Sequence, residues 1–130
     1  MKRIMRVCLI FLSLTLVIGC GPVKLSDKYD KEKLKSSVEL IINDLNEEKY
    51  EDIINMGSEN LKYQLTLDKL KDAWQGISRN LGNYKEISKV DFTEKNGNAV
   101  VLTIAKYEKR EVQFTISFNT KMEMEGIYIR

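Results

Sequence analysis

The apolar residues in the middle of the chain recur every three or four positions, which is the period of an amphipathic α-helix. The first such segment begins at Asp30, a residue suited to a helix N-cap, and ends near Glu48. A second, shorter helix is predicted over Glu51–Met56, and Ser58 suits the cap of one further turn. Thr66 caps the third and most regular segment. The apolar stripes consist of Leu34, Val38, Ile41 and Leu45 in the first helix and of Leu67, Leu70, Trp74, Ile77 and Leu81 in the third.

After Gly82 the apolar residues alternate with polar ones, and this period of two is typical of β-strands. The pair Asn96-Gly97 lies between two apolar runs and predicts a hairpin, because glycine accepts a positive φ. Ile87 is out of phase with Val90, which indicates a bulge in the first strand. The predicted strands are Tyr84–Thr93, Ala99–Tyr107, Val112–Phe118 and Met122–Ile129. This order predicts an α+β fold of three N-terminal helices followed by a four-stranded antiparallel sheet, with the helices on one sheet face.

The first 19 residues have the layout of a secretory signal peptide. Lys2, Arg3 and Arg6 precede Val7–Ile18, an apolar run of 12 residues without a charge. A helix across a bilayer needs about 20 apolar residues, so this run is too short to span one comfortably. A buried N-terminal helix is the alternative, but the run offers no polar face to solvent.

The end of this segment, Leu16-Val17-Ile18-Gly19-Cys20, resembles the bacterial lipobox. In proteins with that motif the cysteine thiol receives a diacylglyceryl group, and the signal is cleaved just before it. Two acyl chains such as palmitate hold a protein durably at a membrane, whereas one does not. The resemblance implies lipidation of Cys20 and a location on the extracytoplasmic face of the bacterial cell membrane. The alternative is cleavage that leaves Cys20 free or disulfide-bonded. The predicted organisation is a lipoprotein signal peptide over residues 1–19, the lipidated cysteine and a linker over 20–30, and a single domain over 31–130.

The composition excludes several classes of function. The chain has 130 residues, no His and a formal charge of +2. Without the signal, 18 basic and 19 acidic side chains remain, interspersed along the chain, so no nucleic-acid footprint is present. The missing His removes the commonest general base and the commonest metal ligand, so neither a metal nor a cofactor is expected. The chain also lacks the serine-hydrolase, zinc-protease and nucleotide-binding motifs, and no catalytic residue is predicted.

Most of the segment from Leu34 to Ile129 resembles a bacterial family known as domain of unknown function 3887. The resemblance rests on Tyr50, Leu65-Thr66-Leu67-Asp68-Lys69-Leu70, Ala73-Trp74, Leu81-Gly82, Tyr84-Lys85 and Gly126-Ile127-Tyr128-Ile129. It implies a fold like that of nuclear transport factor 2, also called cystatin-like, in which a curved sheet wraps around helices and often around a pocket. Members of the family are secreted or lipid-anchored, and the resemblance transfers no catalytic residue.

Seven side chains are candidates for lining such a pocket. Trp74 is in register with Leu70 and Ile77, so packing in the core is its favoured role and a ligand platform is the alternative. The methionines of the last strand are expected on one face with its tyrosine, where soft side chains suit either an apolar binding surface or gaps in the core. The seven candidates are Tyr63, Trp74, Tyr84, Tyr107, Met122, Met124 and Tyr128.

These features favour a non-enzymatic binding module for a small apolar ligand or a partner protein of the cell envelope. Two alternatives stay open. One is a small isomerase-like or hydrolase-like enzyme that uses pocket tyrosines and carboxylates. Ketosteroid isomerase, of the same broad fold, uses a pocket aspartate as its base, and Asp91 would be the counterpart although it is expected to face water. The other is an accessory structural subunit of an envelope complex, its pocket filled by its own side chains.

Overall fold

The structure is a computed structural model that describes residues 23–130 of the chain. The signal peptide predicted for residues 1–19 and the lipidation predicted for Cys20 lie outside the described residues. Within residues 23–130, no helix is both long enough and apolar enough to cross a membrane.

Four helices precede the main strands, where the sequence predicted three helices and one further turn. Three of the four begin at the predicted caps, Asp30, Ser58 and Thr66, whose side-chain oxygens accept backbone N–H groups. The further turn is a helix in its own right because the Ser58 hydroxyl caps the N–H of Leu61 at 3.2 Å and the Leu61 side chain is buried. The helices are α1 (Lys31–Asn46), α2 (Tyr50–Asn55), α3 (Glu59–Gln64) and α4 (Leu67–Ser78).

The strands form one antiparallel sheet in which each strand pairs with its neighbour in the chain. The four predicted strands are all present, and a short strand at the edge was not predicted because two residues carry no periodicity. That strand pairs Val23 with Glu94, and Ser26 donates from its backbone and hydroxyl to Glu94 Oε1 at 3.1 and 2.6 Å. The strands are β1 (Val23–Lys24), β2 (Tyr84–Lys95), β3 (Asn98–Tyr107), β4 (Glu111–Phe118) and β5 (Met124–Ile129).

The segment that leads from β1 to α1 is folded onto the sheet, which differs from the linker expected over residues 20–30. Tyr29 is buried in the core, and its hydroxyl donates to the carbonyl of Gly97 at 2.5 Å. Only Gly21 and Pro22 therefore separate Cys20 from the first strand.

Of the three register shifts in the described strands, two bear on the predicted faces of the strands, and the third lies between Tyr84 and Glu86 in β2. A register shift between Ile87 and Lys89 confirms the predicted bulge in β2. A second bulge lies in β5, where Phe118 pairs with Met124 and Ser117 with Gly126, so that one residue between the two pairs has no partner.

The second bulge overturns the expectation that Met122, Met124 and Tyr128 share one face. Met124 points into the core and is fully buried, whereas Tyr128, opposite Thr115, lies on the outer face and is 76% exposed. Met122 precedes the strand, in a turn closed by Asn119 Oδ1, which accepts the N–H groups of Lys121 and Glu123.

The core lies between the inner face of the sheet and the helices. The inward residues of β3 before Tyr107 are small, and α1 lies across β2 and β3 with its apolar stripe buried. The inward residues of β4 are larger, and one of them, Phe114, packs against Trp74 of α4 with ring centroids 6.0 Å apart. The small residues are Ala99, Val101, Thr103 and Ala105, and the large ones are Phe114, Ile116 and Phe118.

Candidate functional site

A cleft opens at the end of the sheet where β2 begins and β3 ends. It has a volume of about 290 Å³, and its walls include the C-terminal ends of α1 and α4. Trp74, Tyr84 and Tyr107 form its aromatic part, and we call it the aromatic cleft. Its volume is near the lower limit of known ligand pockets, which suits a small ligand.

Strand pairing and ring packing hold the three aromatic side chains together. Tyr84 and Tyr107 are directly opposite each other on β2 and β3, and their rings meet edge to face with centroids 5.4 Å apart. The ring of Trp74 lies 6.2 Å from that of Tyr107 and 6.0 Å from that of Phe114 in the core. The aromatic part of the cleft is therefore continuous with the core and is formed before any ligand arrives.

A hydrogen bond fixes the Tyr107 hydroxyl, which donates to Asn46 Oδ1 at 2.5 Å. Burial raises the pKa of Tyr107 to about 12. Burial also raises the pKa of Tyr84, with smaller contributions from the charges of Glu39 and Glu86. Both hydroxyls are therefore protonated at neutral pH and can donate hydrogen bonds but cannot act as bases.

The rim of the aromatic cleft is polar and negatively charged. Asn46, Glu47 and Glu48 come from the end of α1, and Ser78 and Asn83 come from the opposite side. Of the described residues that line this cleft, two are carboxylates and none is basic. The Glu47 carboxylate also forms an exposed ion pair with the Lys49 ammonium at 2.9 Å.

Glu48 has an unfavourable backbone conformation for its residue type. Its φ is 61°, and the N–H groups of Glu48 and Lys49 donate to the carbonyls of Leu45 and Asp44. This pattern ends many helices, with glycine at the left-handed position. A residue with a side chain there costs about 1 kcal/mol, and a negative charge at a helix C-terminus is unfavourable as well. The rim thus carries a carboxylate where the helix alone would favour glycine.

A second, wider cleft adjoins the first and shares Tyr84 with it. This side groove has a volume of about 660 Å³ and runs between the exposed face of α1 and β2. Its charges are mixed, with Lys35, Lys85 and Lys89 beside Glu39 and Glu86. The side groove therefore has no charge preference comparable to that of the aromatic cleft.

The structure brings three of the seven candidate residues together and leaves the other four apart. Tyr63 is 88% exposed on α3, because its position in that helix faces solvent. Tyr128 is on the outer face of the sheet, Met124 is in the core, and Met122 is half-buried against the first turns of α1. The seven candidates therefore do not line one common pocket.

The arrangement needed for isomerase-like chemistry is also not assembled. The Asp91 side chain is 56% exposed and pairs with the Lys89 ammonium at 3.3 Å on the outer face of the sheet, as expected for a residue that faces water. Tyr84 and Tyr107 point to the inner face, so the sheet separates them from Asp91. Within residues 23–130, no group of three or more acidic, His or Cys side chains could hold a metal ion.

Sequence reasoning missed the rim of the cleft. Neither Glu47 nor Glu48 is among the seven candidates, and both side chains are exposed. The available signal was the end of the first helix, where the chain reads Asn46-Glu47-Glu48-Lys49 without the usual glycine.

The family model described as "Protein of unknown function (DUF3887)" matches residues 38–127. The chain belongs to this family. All residues that line the aromatic cleft lie within the matched DUF3887 segment. The DUF3887 chain is also similar to the solved "NMR structure of protein from Ruminococcus gnavus ATCC 29149", with 20% identity and a TM-score of 0.73 over 84% of this chain and 99% of that chain. This likeness shows the fold alone, helices followed by an open antiparallel sheet. The search of curated proteins found no match.

Proposed function

We propose that this DUF3887 protein is a lipid-anchored binding module of the bacterial cell envelope that holds a small ligand in the aromatic cleft. The observation that carries the proposal is the preformed concavity in which Trp74, Tyr84 and Tyr107 converge beneath a polar rim. Trp74 and Tyr107 are buried and form the floor of the concavity, and convergent polar groups above such a floor are typical of a small-molecule site.

The charge of the rim narrows the class of ligand. A positively charged group would meet the carboxylates of Glu47 and Glu48 and the ring of Tyr84, whereas an anion would meet no basic side chain among the described lining residues. We therefore favour a small cation with a short apolar part over the small apolar ligand or partner protein that the sequence predicted.

The state of the tyrosines supports binding rather than acid–base catalysis. Burial raises the pKa of Tyr107 to about 12, and its proton is already donated to Asn46. The carboxylates at the rim are exposed, in contrast to the desolvated acids and bases typical of active sites.

Nuclear magnetic resonance titration of the protein can test the ligand site. Butylammonium, butanol and butanoate have the same carbon chain and differ in charge. We expect butylammonium to shift the amide signals of Asn46, Glu48, Asn83 and Tyr84 in a saturable manner, and butanoate to leave them unchanged. Glu48→Gln should weaken binding several-fold, and Glu51→Gln, an exposed carboxylate outside the cleft, should not. Equal shifts with butanoate would refute the charge preference, and no shift in the cleft with any probe would refute the site.

The lipid anchor rests on the sequence around Cys20. Labelled palmitate should be incorporated into the protein expressed in bacteria, and Cys20→Ala or globomycin should leave the precursor unprocessed. Processing that continues in the Cys20→Ala variant would overturn the lipoprotein assignment.

A further inference from the structure

The tether between the proposed lipid and the folded domain is very short. Val23 already pairs with Glu94 at the edge of the sheet, so only Gly21 and Pro22 lie between Cys20 and β1. The three Cα–Cα steps from Cys20 to Val23 span at most about 11 Å. A domain tethered in this way has little freedom to turn over on a membrane surface.

The short tether leaves from one particular end of the sheet, which we call the β1 end. The turn at Asn96-Gly97 lies there, next to the pairing of β1 with Thr93 and Glu94. The turn between β4 and β5 lies there too, because Ala99 pairs with Phe118. The first residue of α1 is close by, since the Lys31 ammonium lies 5.7 Å from the centre of the Phe92 ring.

The charges at the β1 end are mixed, but its lysines are the freer groups. Six lysines are exposed there: Lys24, Lys28, Lys31, Lys33, Lys95 and Lys121. Six acidic groups lie there too, and four of them accept hydrogen bonds within the protein: Asp30 as the cap of α1, Glu94 from Ser26, and Glu123 and Glu125 from Asn119. Asp27 and Glu32 are exposed. A cluster of lysines beside a lipid anchor suits a surface of anionic headgroups.

We propose that the mature protein stands with its β1 end against the membrane and its aromatic cleft facing away from it. The inference rests on the proposed lipidation of Cys20. The cleft is at the other end of β2, ten residues from Glu94 at Tyr84, which corresponds to about 30 Å of strand. The cleft therefore samples the aqueous phase, and its ligand is a water-soluble molecule or a group on another protein rather than a bilayer lipid.

The orientation can be measured on nanodiscs that contain a gadolinium-chelating lipid and a maleimide lipid. Cys20 is the single cysteine of residues 20–130, so the mature chain can be coupled through it to the maleimide lipid. We expect strong paramagnetic broadening of amide signals in residues 24–28, 95–98 and 119–122. Signals in residues 46–48, 82–84 and 108–110 should stay sharp. Equal broadening at the two ends, or stronger broadening around the cleft, would overturn the proposal.

Variants separate the contribution of the tether from that of the lysines. A flexible ten-residue insertion between Pro22 and Val23 should abolish selective broadening on zwitterionic nanodiscs and preserve it on anionic ones. In the chain with the insertion, Lys95→Glu combined with Lys121→Glu should abolish the selective broadening on anionic nanodiscs as well. Lys109 is an exposed lysine at the opposite end of the sheet, and Lys109→Glu should leave the pattern of broadening unchanged. Selectivity that survives the insertion and both charge reversals would refute the short tether and these lysines as the causes of the orientation.

Chemical coupling keeps this test independent of the cellular lipidation. If bacteria do not process the protein at Cys20 but the coupled chain adopts the expected orientation, the proposed lipidation is refuted and the proposed orientation is supported. If processing occurs but the coupled chain tumbles freely, the proposed lipidation is supported and the proposed orientation is refuted.

Discussion

The hydroxyl of Tyr107 donates a hydrogen bond of 2.5 Å to Asn46 Oδ1 and so joins the last inward residue of β3 to the last residue of α1. The ring of Tyr107 also contacts Tyr84 and Trp74, and the hydrogen bond therefore sets the position of the whole aromatic part of the cleft. The same bond makes one side chain important for both stability and the shape of the site.

Tyr107→Phe should lower the free energy of unfolding by about 1 kcal/mol at pH 7, because it removes one buried hydrogen bond and retains the ring. Asn46 is half-buried, so water can replace the lost donor in part. Urea denaturation measures the change. Tyr128→Phe is the matched control, since the Tyr128 side chain is 76% exposed and its variant should unfold like the wild type.

The stability of the wild type should fall relative to Tyr107→Phe as the pH rises from 10 to 12. Burial raises the pKa of Tyr107 from 10.0 to about 12, so the folded state holds the proton after the unfolded state has lost it. The stabilising contribution is complete below pH 10 and is lost as the pH passes 12; it amounts to about 2 kcal/mol. Urea denaturation of both proteins at pH 9 and pH 12 gives the difference. Parallel pH dependence in the two proteins would show that Tyr107 titrates normally.

Local signals in the sequence were sufficient for most of the fold. The caps at Asp30, Ser58 and Thr66 and the alternation in β4 are decided by neighbouring residues, and all were predicted correctly. The pairing of β1 and the burial of Tyr29 depend on residues more than sixty positions away. A periodicity of neighbouring residues contains no information about such contacts.

The candidate site was only partly predictable for a related reason. Residue type alone selected Trp74, Tyr84 and Tyr107, but it selected Tyr128 equally. The unpaired residue in β5 moves Tyr128 to the outer face, because a shift of one position in a strand reverses the face of every later side chain. The bulge depends on how β5 pairs with β4, which the alternation in β5 alone did not reveal.

Thr103→Val should stabilise the protein by about 1 kcal/mol, since it replaces an unpaired buried hydroxyl with a methyl group. Thr103 is fully buried on the inner face of β3, and its hydroxyl has no hydrogen-bond partner among the described residues. Thermal and urea unfolding measure the gain. Thr115→Val, on the outer face of β4, is the control and should give little change. A loss of stability in Thr103→Val would mean that the hydroxyl has a partner, such as a buried water.

Two glycine substitutions should have opposite signs. Gly76→Ala should stabilise α4 by up to about 1 kcal/mol, because a Cβ at this position meets no atom within 4 Å and alanine is the better helix former. Gly82→Ala should destabilise the protein by more than about 1 kcal/mol, since Gly82 has a φ of 73° and a Cβ there lies 2.9 Å from Glu108 Cβ. Unfolding of both variants in urea checks the pair, and a gain in stability for Gly82→Ala would contradict the structure of this loop.

Glu48→Gly should raise the free energy of unfolding by about 1 kcal/mol, because glycine adopts the left-handed conformation at the end of α1 without strain. It also removes a negative charge from a helix C-terminus. Glu48→Gln separates the two effects, since it removes the charge and keeps the strain. We expect a smaller gain in stability for Glu48→Gln, and weaker binding of butylammonium for both variants.

If Glu48→Gly is instead less stable than the wild type, the side chain is retained for its contacts in the fold. If it is more stable but binds butylammonium as before, the carboxylate has no role in the cleft. A gain in stability together with a loss of binding is the expected result, because the Glu48 carboxylate would then serve the cleft at a cost to the end of α1.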